Sequence, residues 1–219
     1  MKTLFTTNRK RDIFLALILT VFIICFAVVF TVNFKYLYYF DIDYLKISMP
    51  SLSKETIQHN YDILIQYQCL FYQGALNLPD FVMSTTGRIH FVEVKKIFDT
   101  IQILLIVTGI ISAIMIYQNI KAHEYRFLKL TTYFSIGIPT LLGMLASIDF
   151  NQAFIIFHKI FFRNDYWIFD ATTDPIIRVL PEAFFMHCFI LIIMIVLFIS
   201  VICYIIYRKK EKEIIDHCC

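Results

Sequence analysis

Four long apolar runs dominate this chain, and they leave few folds open to it. They occupy residues 13–34, 97–117, 130–148 and 186–207. A helix of roughly 20 mostly apolar residues spans the hydrocarbon core of a bilayer. Hydrophobic residues make up 59% of the 219-residue sequence, whereas about half is typical of soluble domains. We therefore predict a single all-α membrane domain over residues 1–219, with one transmembrane helix in each run.

The third run is interrupted by helix-breaking residues, and the first run lies where a signal peptide would be. Gly137, Pro139 and Gly143 interrupt the third run, but membrane helices tolerate such breaks because neighbouring groups satisfy the freed backbone. The first run is longer than the roughly 7–15 residues of a signal-peptide core, and no small-residue cleavage site follows it. The sequence therefore predicts an uncleaved first helix and a kinked third helix.

The distribution of Lys and Arg predicts the orientation in the membrane. Basic residues are in excess at 1–12, 118–129 and 208–219, and the connectors 35–96 and 149–185 lack that excess. Cytoplasmic flanks of membrane helices are enriched in Lys and Arg. Both termini are thus predicted to be cytoplasmic and both long connectors extracellular. The net charge of +3 follows from this bias, and we predict no nucleic-acid partner.

The two extracellular connectors carry helix signals of their own. Ser53 is a suitable N-cap for an amphipathic helix that runs to about Tyr67. The apolar stretch 153–162 is too short to span a bilayer and predicts an interfacial or re-entrant helix around His158. From His90 onwards the pattern is helical and leads into the second span. These segments predict a small α-rich extracellular cap, in which strands are left open.

Aromatic residues follow the first span closely, and membrane proteins place such residues at the bilayer interface. The pattern predicts an interfacial aromatic belt formed by Tyr36, Tyr38, Tyr39, Phe40 and Tyr44.

Two histidines in the extracellular connectors are the main candidates for chemistry. His90 precedes the second span, with Glu93 one helical turn later, and His158 lies in the other connector. Two imidazoles near one membrane surface can serve as a general acid and a general base. The alternatives are a simple His90–Glu93 helix contact and an interfacial His158. A GxSxG motif is absent and Cys69 has no activating neighbour, which disfavours serine and cysteine nucleophiles.

Other classes of function are open to the same residues. His90, Glu93 and His158 include zinc-type ligands, although the sequence has no HExxH motif. One alternative is therefore a metal-dependent lipid or lipoprotein hydrolase at the outer membrane face, and another is a non-enzymatic lipid-binding module. The spans lack ionisable residues away from their ends, which argues against a pump or an ion-coupled transporter.

Two segments resemble a known family of membrane enzymes. GRIHFVEVKKIF precedes the second span and FHKIFFRNDYWIFDATTDPIIRVLPEAFF precedes the last span. Both resemble the lipoprotein intramolecular transacylase (Lit) family, whose members are four-span membrane enzymes of Gram-positive bacteria. The segment NYDILIQY is similar to the first external helix of that family.

The resemblance implies a multi-pass enzyme of the bacterial cell membrane with its active site on the extracellular face. Its substrates would be diacylated lipoproteins within membrane lipid. The sn-2 acyl chain of the diacylglyceryl-Cys would move to the α-amino group of the same Cys, giving a lyso-form lipoprotein. The catalytic histidines of the family would fall on His90 and His158. Neither a metal nor another cofactor is expected, and the oligomeric state stays open.

The residues suit that reaction on chemical grounds. The attacking amine, with a reference pKa of about 7.7–8.0, needs a base, and the glycerol oxygen needs an acid to leave. We predict that His158 takes the amine proton and that His90 serves the leaving or tetrahedral oxygen, with the reverse assignment open. Trp167 can alternatively be an interfacial anchor. Residues predicted to support the site or bind substrate are Glu93, Asn60, Tyr61, Asp149, Asn164, Asp165, Trp167, Asp170 and Arg178.

Overall fold

The computed structural model of the protein describes residues 9–218. Within this range the backbone forms seven α-helices, a 3-10 turn at Pro175–Arg178 and no β-strand, with a lone bridge between Met49 and Leu52. The predicted all-α fold is thereby confirmed. The helices are α1 (Arg9–Asn33), α2 (Lys35–Tyr44), α3 (Lys54–Tyr67), α4 (Thr85–Lys121), α5 (Arg126–Ile148), α6 (Phe150–Phe161) and α7 (Glu182–Cys218).

Four of these helices, α1, α4, α5 and α7, are long and apolar enough to cross a membrane. Helices α4 and α7 have 37 residues each. At a rise of about 1.5 Å per residue, both exceed the hydrocarbon thickness of roughly 30 Å. Helix α4 begins at Thr85 and passes without a break through His90 into the apolar run. The predicted continuity of this helix is confirmed.

The chain divides into two compact units. The first unit contains α1 as far as Val28, residues Ile103–Gly143, and α7 from Ile192 onwards. Its core consists of aliphatic and aromatic side chains from α1, α5 and α7, namely Leu15, Leu19, Ile23, Ala27, Phe127, Leu128, Val196 and Cys203. Several buried hydroxyls there bond to the carbonyl one turn earlier, as Thr20 does to Ala16 and Ser200 to Val196. Such bonds keep polar side chains satisfied inside an apolar bundle.

Near the start of α1, the first unit also contains a polar cluster that the sequence pattern did not indicate. Asp12 is fully buried and accepts a hydrogen bond from Asn119 at 3.2 Å. The neighbouring Arg11 forms an ion pair with Glu124. These contacts join the first turn of α1 to the C-terminal end of α4 and to the residues that follow it.

The second unit contains Val29–Gln102 and Met144–Leu191, and aromatic packing forms its core. The ring of Tyr38 stacks on that of Tyr61 at 3.8 Å between centroids, and Phe184 meets both rings edge-on. Tyr38 is fully buried, and its hydroxyl donates to the Val179 carbonyl at 2.7 Å. The predicted aromatic belt is therefore wrong for Tyr38. One face of α2 is buried and the other lies at the surface, and a simple count of aromatic residues does not distinguish the two faces.

Two of the three short helices of the second unit, α3 and α6, begin at side-chain caps. Ser53 accepts from the Thr56 backbone N–H at 3.2 Å and starts α3, where Ile57, Tyr61 and Leu64 are buried. The predicted helix and its buried face are confirmed. Asp149 caps α6 in the same way and accepts from the Gln152 N–H at 3.0 Å. Because these caps satisfy N–H groups that have no partner within the helix, they fix where each helix starts.

Asp174 has a different role from a local cap. It precedes the 3-10 turn but makes no capping bond to it; its carboxylate accepts from the Ser84 N–H at 2.8 Å instead. Gly87 in the first turn of α4 lies against the same carboxylate, and a Cβ there would come within 2.2 Å of Asp174 Oδ1. Asp174 thus fixes the beginning of the helix that carries His90, and that close approach requires glycine.

Candidate active site

The two candidate histidines lie together inside the second unit. His90 comes from the N-terminal part of α4 and His158 from α6, and their ring centroids are 6.1 Å apart. Both side chains are buried, with exposed fractions of 7% and 9%. Phe162 packs on both rings, at 4.7 Å from His90 and 5.6 Å from His158. The prediction that the two connectors bring these imidazoles close is therefore met by the geometry.

A backbone carbonyl holds the His158 imidazole in place. Nδ1 lies 2.7 Å from the Phe154 carbonyl oxygen, one turn earlier in α6. Because a carbonyl can only accept, Nδ1 carries the proton, and Nε2 of the neutral ring is left as an acceptor. Burial lowers the pKa of His158 below its usual 6.5, and the bond to Phe154 opposes that shift in part. His158 is thus a neutral imidazole at neutral pH, with Nε2 available as a base.

Trp167 covers the His158 ring. The two rings stack with centroids 4.7 Å apart and an interplanar angle of 29°. Trp167 lies in the turn after α6, where the Ile168 N–H donates to the Asp165 carbonyl at 3.1 Å. The loop therefore folds back over the helix it follows. This contact brings Trp167 against one of the two candidate histidines.

Glu93 and Asn164 form the polar side of the site. Asn164 Nδ2 donates to Glu93 Oε1 at 2.9 Å, and Asn164 Oδ1 accepts from the Tyr166 N–H at 3.0 Å. Glu93 follows His90 by three residues on α4, so the two side chains share a helix face. One amide thus holds the carboxylate and shapes the loop that carries Trp167.

Three polar atoms around this site are buried without a hydrogen-bond partner among the residues that the structure describes. They are His90 Nδ1, Glu93 Oε2 and Trp167 Nε1. Leaving such a group unpaired costs roughly 1–3 kcal/mol, so buried polar atoms in proteins usually have partners. Their concentration beside two buried imidazoles is typical of a site that binds a polar group of a substrate.

Comparisons with known proteins agree on one family. The sequence matches the family described as lipoprotein intramolecular transacylase Lit over residues 13–185. The chain belongs to the Lit family. No curated protein matches the sequence.

Solved structures of a Lit protein have the same fold. The structure of the membrane-integral lipoprotein intramolecular transacylase Lit from Bacillus cereus is 40% identical in sequence, with a TM-score of 0.91 over 94% of this chain and 96% of that chain. Two variants of that protein, with a histidine replaced by arginine or by alanine, match with TM-scores of 0.84 and 0.85 at the same identity. They cover 94% of this chain and 92% and 94% of those chains. The protein is accordingly a membrane-integral member of the transacylase family.

Other candidates named from the sequence have structural contacts in this Lit protein. Asn60 is fully buried, and its Nδ2 donates to the Thr56 carbonyl and to Asp80 Oδ2 at 2.8 and 2.7 Å. Tyr61 belongs to the aromatic core with Tyr38. Neither side chain has a recorded contact with either imidazole. Both lie on the face of α3 that packs into the second unit.

The remaining predicted residues lie at turns and helix ends. Asp149 is the α6 cap, and the exposed Asp170 accepts from the Thr172 N–H at 2.8 Å. Asp165 is exposed, and its backbone carbonyl closes the turn before Ile168. Arg178 is exposed at the end of the 3-10 turn. None of these side chains has a recorded contact with His90 or His158.

The aromatic walls of the site come from the runs 154–162 and 167–169, which the sequence predicts to line the acyl chains of the substrate. Phe154 lies 4.2 Å from the His158 ring, and Phe169 lies 5.4 Å from the His90 ring. The position of Phe154 was accessible from sequence, since residues four apart share a helix face. The Phe169 contact depends on the path of the loop.

Over the described part of the chain, no group of three or more His, Cys, Asp and Glu side chains is arranged to hold a metal ion. His158 Nδ1 and Glu93 Oε1 are each engaged by a hydrogen bond within the protein.

Proposed function

We propose that this Lit protein moves the sn-2 acyl chain of a diacylglyceryl-Cys lipoprotein to the α-amino group of the same Cys. The observation that carries the proposal is the buried pair His90 and His158, enclosed by aromatic rings and adjoined by unpaired polar atoms. Aromatic side chains around the pair suit a lipid ester, and a pair of imidazoles can move the single proton that the reaction transfers.

The reaction balances without a cofactor. A C–N bond forms between the α-amine and the sn-2 carbonyl carbon, the C–O bond to glycerol breaks, and one proton passes from nitrogen to the glycerol oxygen. An ester becomes an amide, which is downhill, so no external energy source is required. Donor and acceptor belong to one molecule, and the main task of the protein is to hold them in attack geometry.

His158 serves as the base in this proposal. Its Nε2 is the free nitrogen of the ring, and burial keeps the ring neutral by lowering its pKa. Attack by the amine produces a tetrahedral adduct with an acidic N–H, which a weak base of this kind can deprotonate. The His90 ring, whose centroid lies 6.1 Å from that of His158, then donates a hydrogen bond or a proton to the glycerol oxygen as it leaves, or to the tetrahedral oxygen.

Glu93 is assigned to the amine. Its Oε1 is held by Asn164, and its buried Oε2 can accept an N–H of the α-amino group. A hydrogen bond to a carboxylate contributes about 1.5–3 kcal/mol. This role requires a free α-amine and would distinguish lipoprotein substrates from ordinary diacylglycerol.

We place the histidine pair on the extracellular side of the cell membrane, with both termini cytoplasmic. The support is the Lys and Arg excess at 1–12, 118–129 and 208–219 together with the four helices able to span a bilayer. Diacylated lipoproteins would then reach the site from the outer leaflet.

The test is fragmentation mass spectrometry of the N-terminal lipopeptide of a reporter lipoprotein. The reporter is expressed in a bacterium that lacks N-acylation, with and without this protein. Total mass does not change in an intramolecular transfer, so the fragments decide. We expect an N-acyl Cys with a monoacylglyceryl thioether only when the protein is present.

Other fragments would contradict the proposal. Loss of one acyl mass without N-acylation would indicate the hydrolase, and chelator sensitivity would then identify a metal-dependent one. An unchanged diacylglyceryl form, with the protein present in the membrane, would leave a non-enzymatic lipid-binding role.

A further inference from the structure

The indole of Trp167 stacks on His158 and keeps a buried N–H without a partner among the described residues. Its ring lies on His158 at 4.7 Å, and its Nε1 is buried without an acceptor among residues 9–218. A Trp N–H can only donate, and buried indoles usually find a partner for it. The stack would need only the ring, so the N–H is available for something that binds beside His158.

The reacting ester offers one oxygen that suits this donor. The α-amine donates its own N–H groups, and the glycerol oxygen ends the reaction by gaining a proton. The carbonyl oxygen accepts at every stage, and it acquires negative charge when nitrogen attacks the carbon. A donor fixed in an apolar site stabilises such charge most when it needs no reorganisation.

The loop supplies that fixation. Asn164 Oδ1 accepts from the Tyr166 N–H at 3.0 Å, and the Asp165 carbonyl accepts from the Ile168 N–H at 3.1 Å. These two bonds flank Trp167 on either side. The indole is therefore held by the backbone of its own turn as well as by the stack on His158.

We propose that Trp167 is a catalytic residue of the transfer and that its indole N–H donates to the sn-2 carbonyl oxygen. As the C–N bond forms, the carbonyl π electrons move to this oxygen, and the hydrogen bond to Trp167 stabilises the anion. When the carbonyl re-forms, the C–O bond to glycerol breaks and the glycerol oxygen takes the proton. In this step His90 is the imidazole that donates to the leaving glycerol oxygen. This inference rests on the proposed function.

A purely structural Trp167 makes a different prediction. If the indole only positions His158, any flat ring of the same size retains activity. If the N–H is the working group, removing it lowers kcat while the ring stays in place. Loss of one such donor typically costs about 10²–10³-fold in kcat.

The sequence contains one Trp, so the indole N–H at position 167 can be replaced without changing any other residue. Growth in medium where tryptophan is replaced by β-(benzothiophen-3-yl)alanine puts sulfur in place of that N–H at position 167 only. We expect kcat for a synthetic diacylglyceryl-Cys lipopeptide to fall about 10²-fold or more, with KM little changed. Trp167→Phe should show a similar loss. Turnover of the sulfur analogue within threefold of the unsubstituted protein would overturn the inference.

A second measurement on the unsubstituted protein does not depend on folding of a variant. Protein labelled with ¹⁵N at the indole gives one indole N–H resonance. The product lipopeptide, N-acylated and S-monoacylglycerylated, places an amide carbonyl where the tetrahedral carbon forms. We expect its addition to move the indole proton downfield. Saturating product with no movement would overturn the inference.

Failure of this inference can be told apart from failure of the proposed function. If the unsubstituted protein transfers the acyl chain and the sulfur analogue does so equally well, only the role of Trp167 is wrong. If the unsubstituted protein leaves the lipopeptide unchanged or merely hydrolyses it, the proposed function itself is wrong, and the role of Trp167 falls with it.

Discussion

Two polar clusters in the second unit differ in how completely they are satisfied. Around Asn60 the polar atoms bond to one another: its Nδ2 donates to Thr56 and Asp80, and its Oδ1 accepts from the Asp80 N–H at 3.4 Å. Around His90 and His158, three atoms of different hydrogen-bonding type are buried without a partner in the described chain. Asn60 and the two histidines are all buried, yet among the described residues only the histidine cluster contains buried atoms without a partner.

We infer from this difference that the first cluster stabilises the fold and that the second binds the substrate. A buried polar group with partners on every side stabilises the structure around it. One that keeps an atom unpaired lowers stability and is retained where function requires it. Substitution should therefore lower stability in the first cluster and activity in the second.

The largest effect is expected from the histidines. His158→Ala removes the proposed base and His90→Ala its partner, and each should lower kcat by roughly 10²–10⁴-fold. Turnover of a synthetic lipopeptide by purified protein measures this. His59, exposed on α3, offers a matched control: His59→Ala should retain full activity. Near-normal turnover of His158→Ala or His90→Ala would remove that residue from the mechanism.

Glu93→Gln is expected to act next in size, on substrate binding. The amide can still accept from Asn164 but carries no charge for the amine. We expect KM for the lipopeptide to rise about tenfold or more, in line with about 1.5–3 kcal/mol for a charged hydrogen bond. Glu55→Gln on the exposed start of α3 is the control. If KM and kcat of Glu93→Gln match those of the unsubstituted protein, the carboxylate does not bind the amine.

Asn60→Ala should have the opposite signature. Its removal leaves Asp80 Oδ2 without this donor and empties a fully buried position on α3, and we expect a loss of roughly 1–3 kcal/mol in the free energy of unfolding. Turnover per folded molecule should stay unchanged. Thermal unfolding in detergent, read beside kcat, separates the two quantities. A fall in kcat at undiminished stability would move Asn60 into the active site.

Gly87→Ala tests the anchoring of α4 by Asp174. The added Cβ would lie 2.2 Å from Asp174 Oδ1, and overpacking of this kind costs about 1–3 kcal/mol. We expect a lower unfolding midpoint and reduced turnover, because the first turn of the helix carrying His90 must shift. Gly137→Ala is the control, since a Cβ there meets nothing within 4 Å. Equal midpoints for the two variants would contradict the anchor.

The smallest effect concerns pH. Burial lowers the pKa of His158 below 6.5, so the ring stays neutral as pH falls through that value. The base is lost only when pH drops below the lowered pKa. We therefore expect kcat to hold through pH 6.5 and to decline at lower pH. A kcat that falls to half its maximum at or above pH 6.5 would instead implicate a group with a normal or raised pKa.

Much of this architecture follows from the sequence because it rests on local signals. Apolar run length predicts the four long helices, and Ser53 followed by a periodic pattern predicts α3. His90 and His158 were found because both lie beside apolar helices in segments rich in reactive side chains. The resemblance to Lit added the reaction that we propose for these two histidines.

The rest depends on contacts between residues far apart in the chain. The bond from Asn164 to Glu93 joins residues 71 positions apart, and that from the Ser84 N–H to Asp174 joins residues 90 apart. Asp174 precedes Pro175, and Asp-Pro is a common helix start in which Asp caps the helix. In the structure the Asp174 carboxylate accepts from the Ser84 N–H instead. Likewise, composition alone could not separate the buried Tyr38 from its exposed neighbours.

The most direct test of the account is an isotope-crossover experiment with purified protein. One lipopeptide carries a deuterated sn-2 acyl chain, and a second carries a mass label in the peptide only. After turnover of the mixture, we predict deuterated N-acyl Cys solely on the unlabelled peptide, and none with His158→Ala. Deuterated acyl on the labelled peptide, or a free deuterated fatty acid as the sole product, would contradict an intramolecular transfer at the histidine pair.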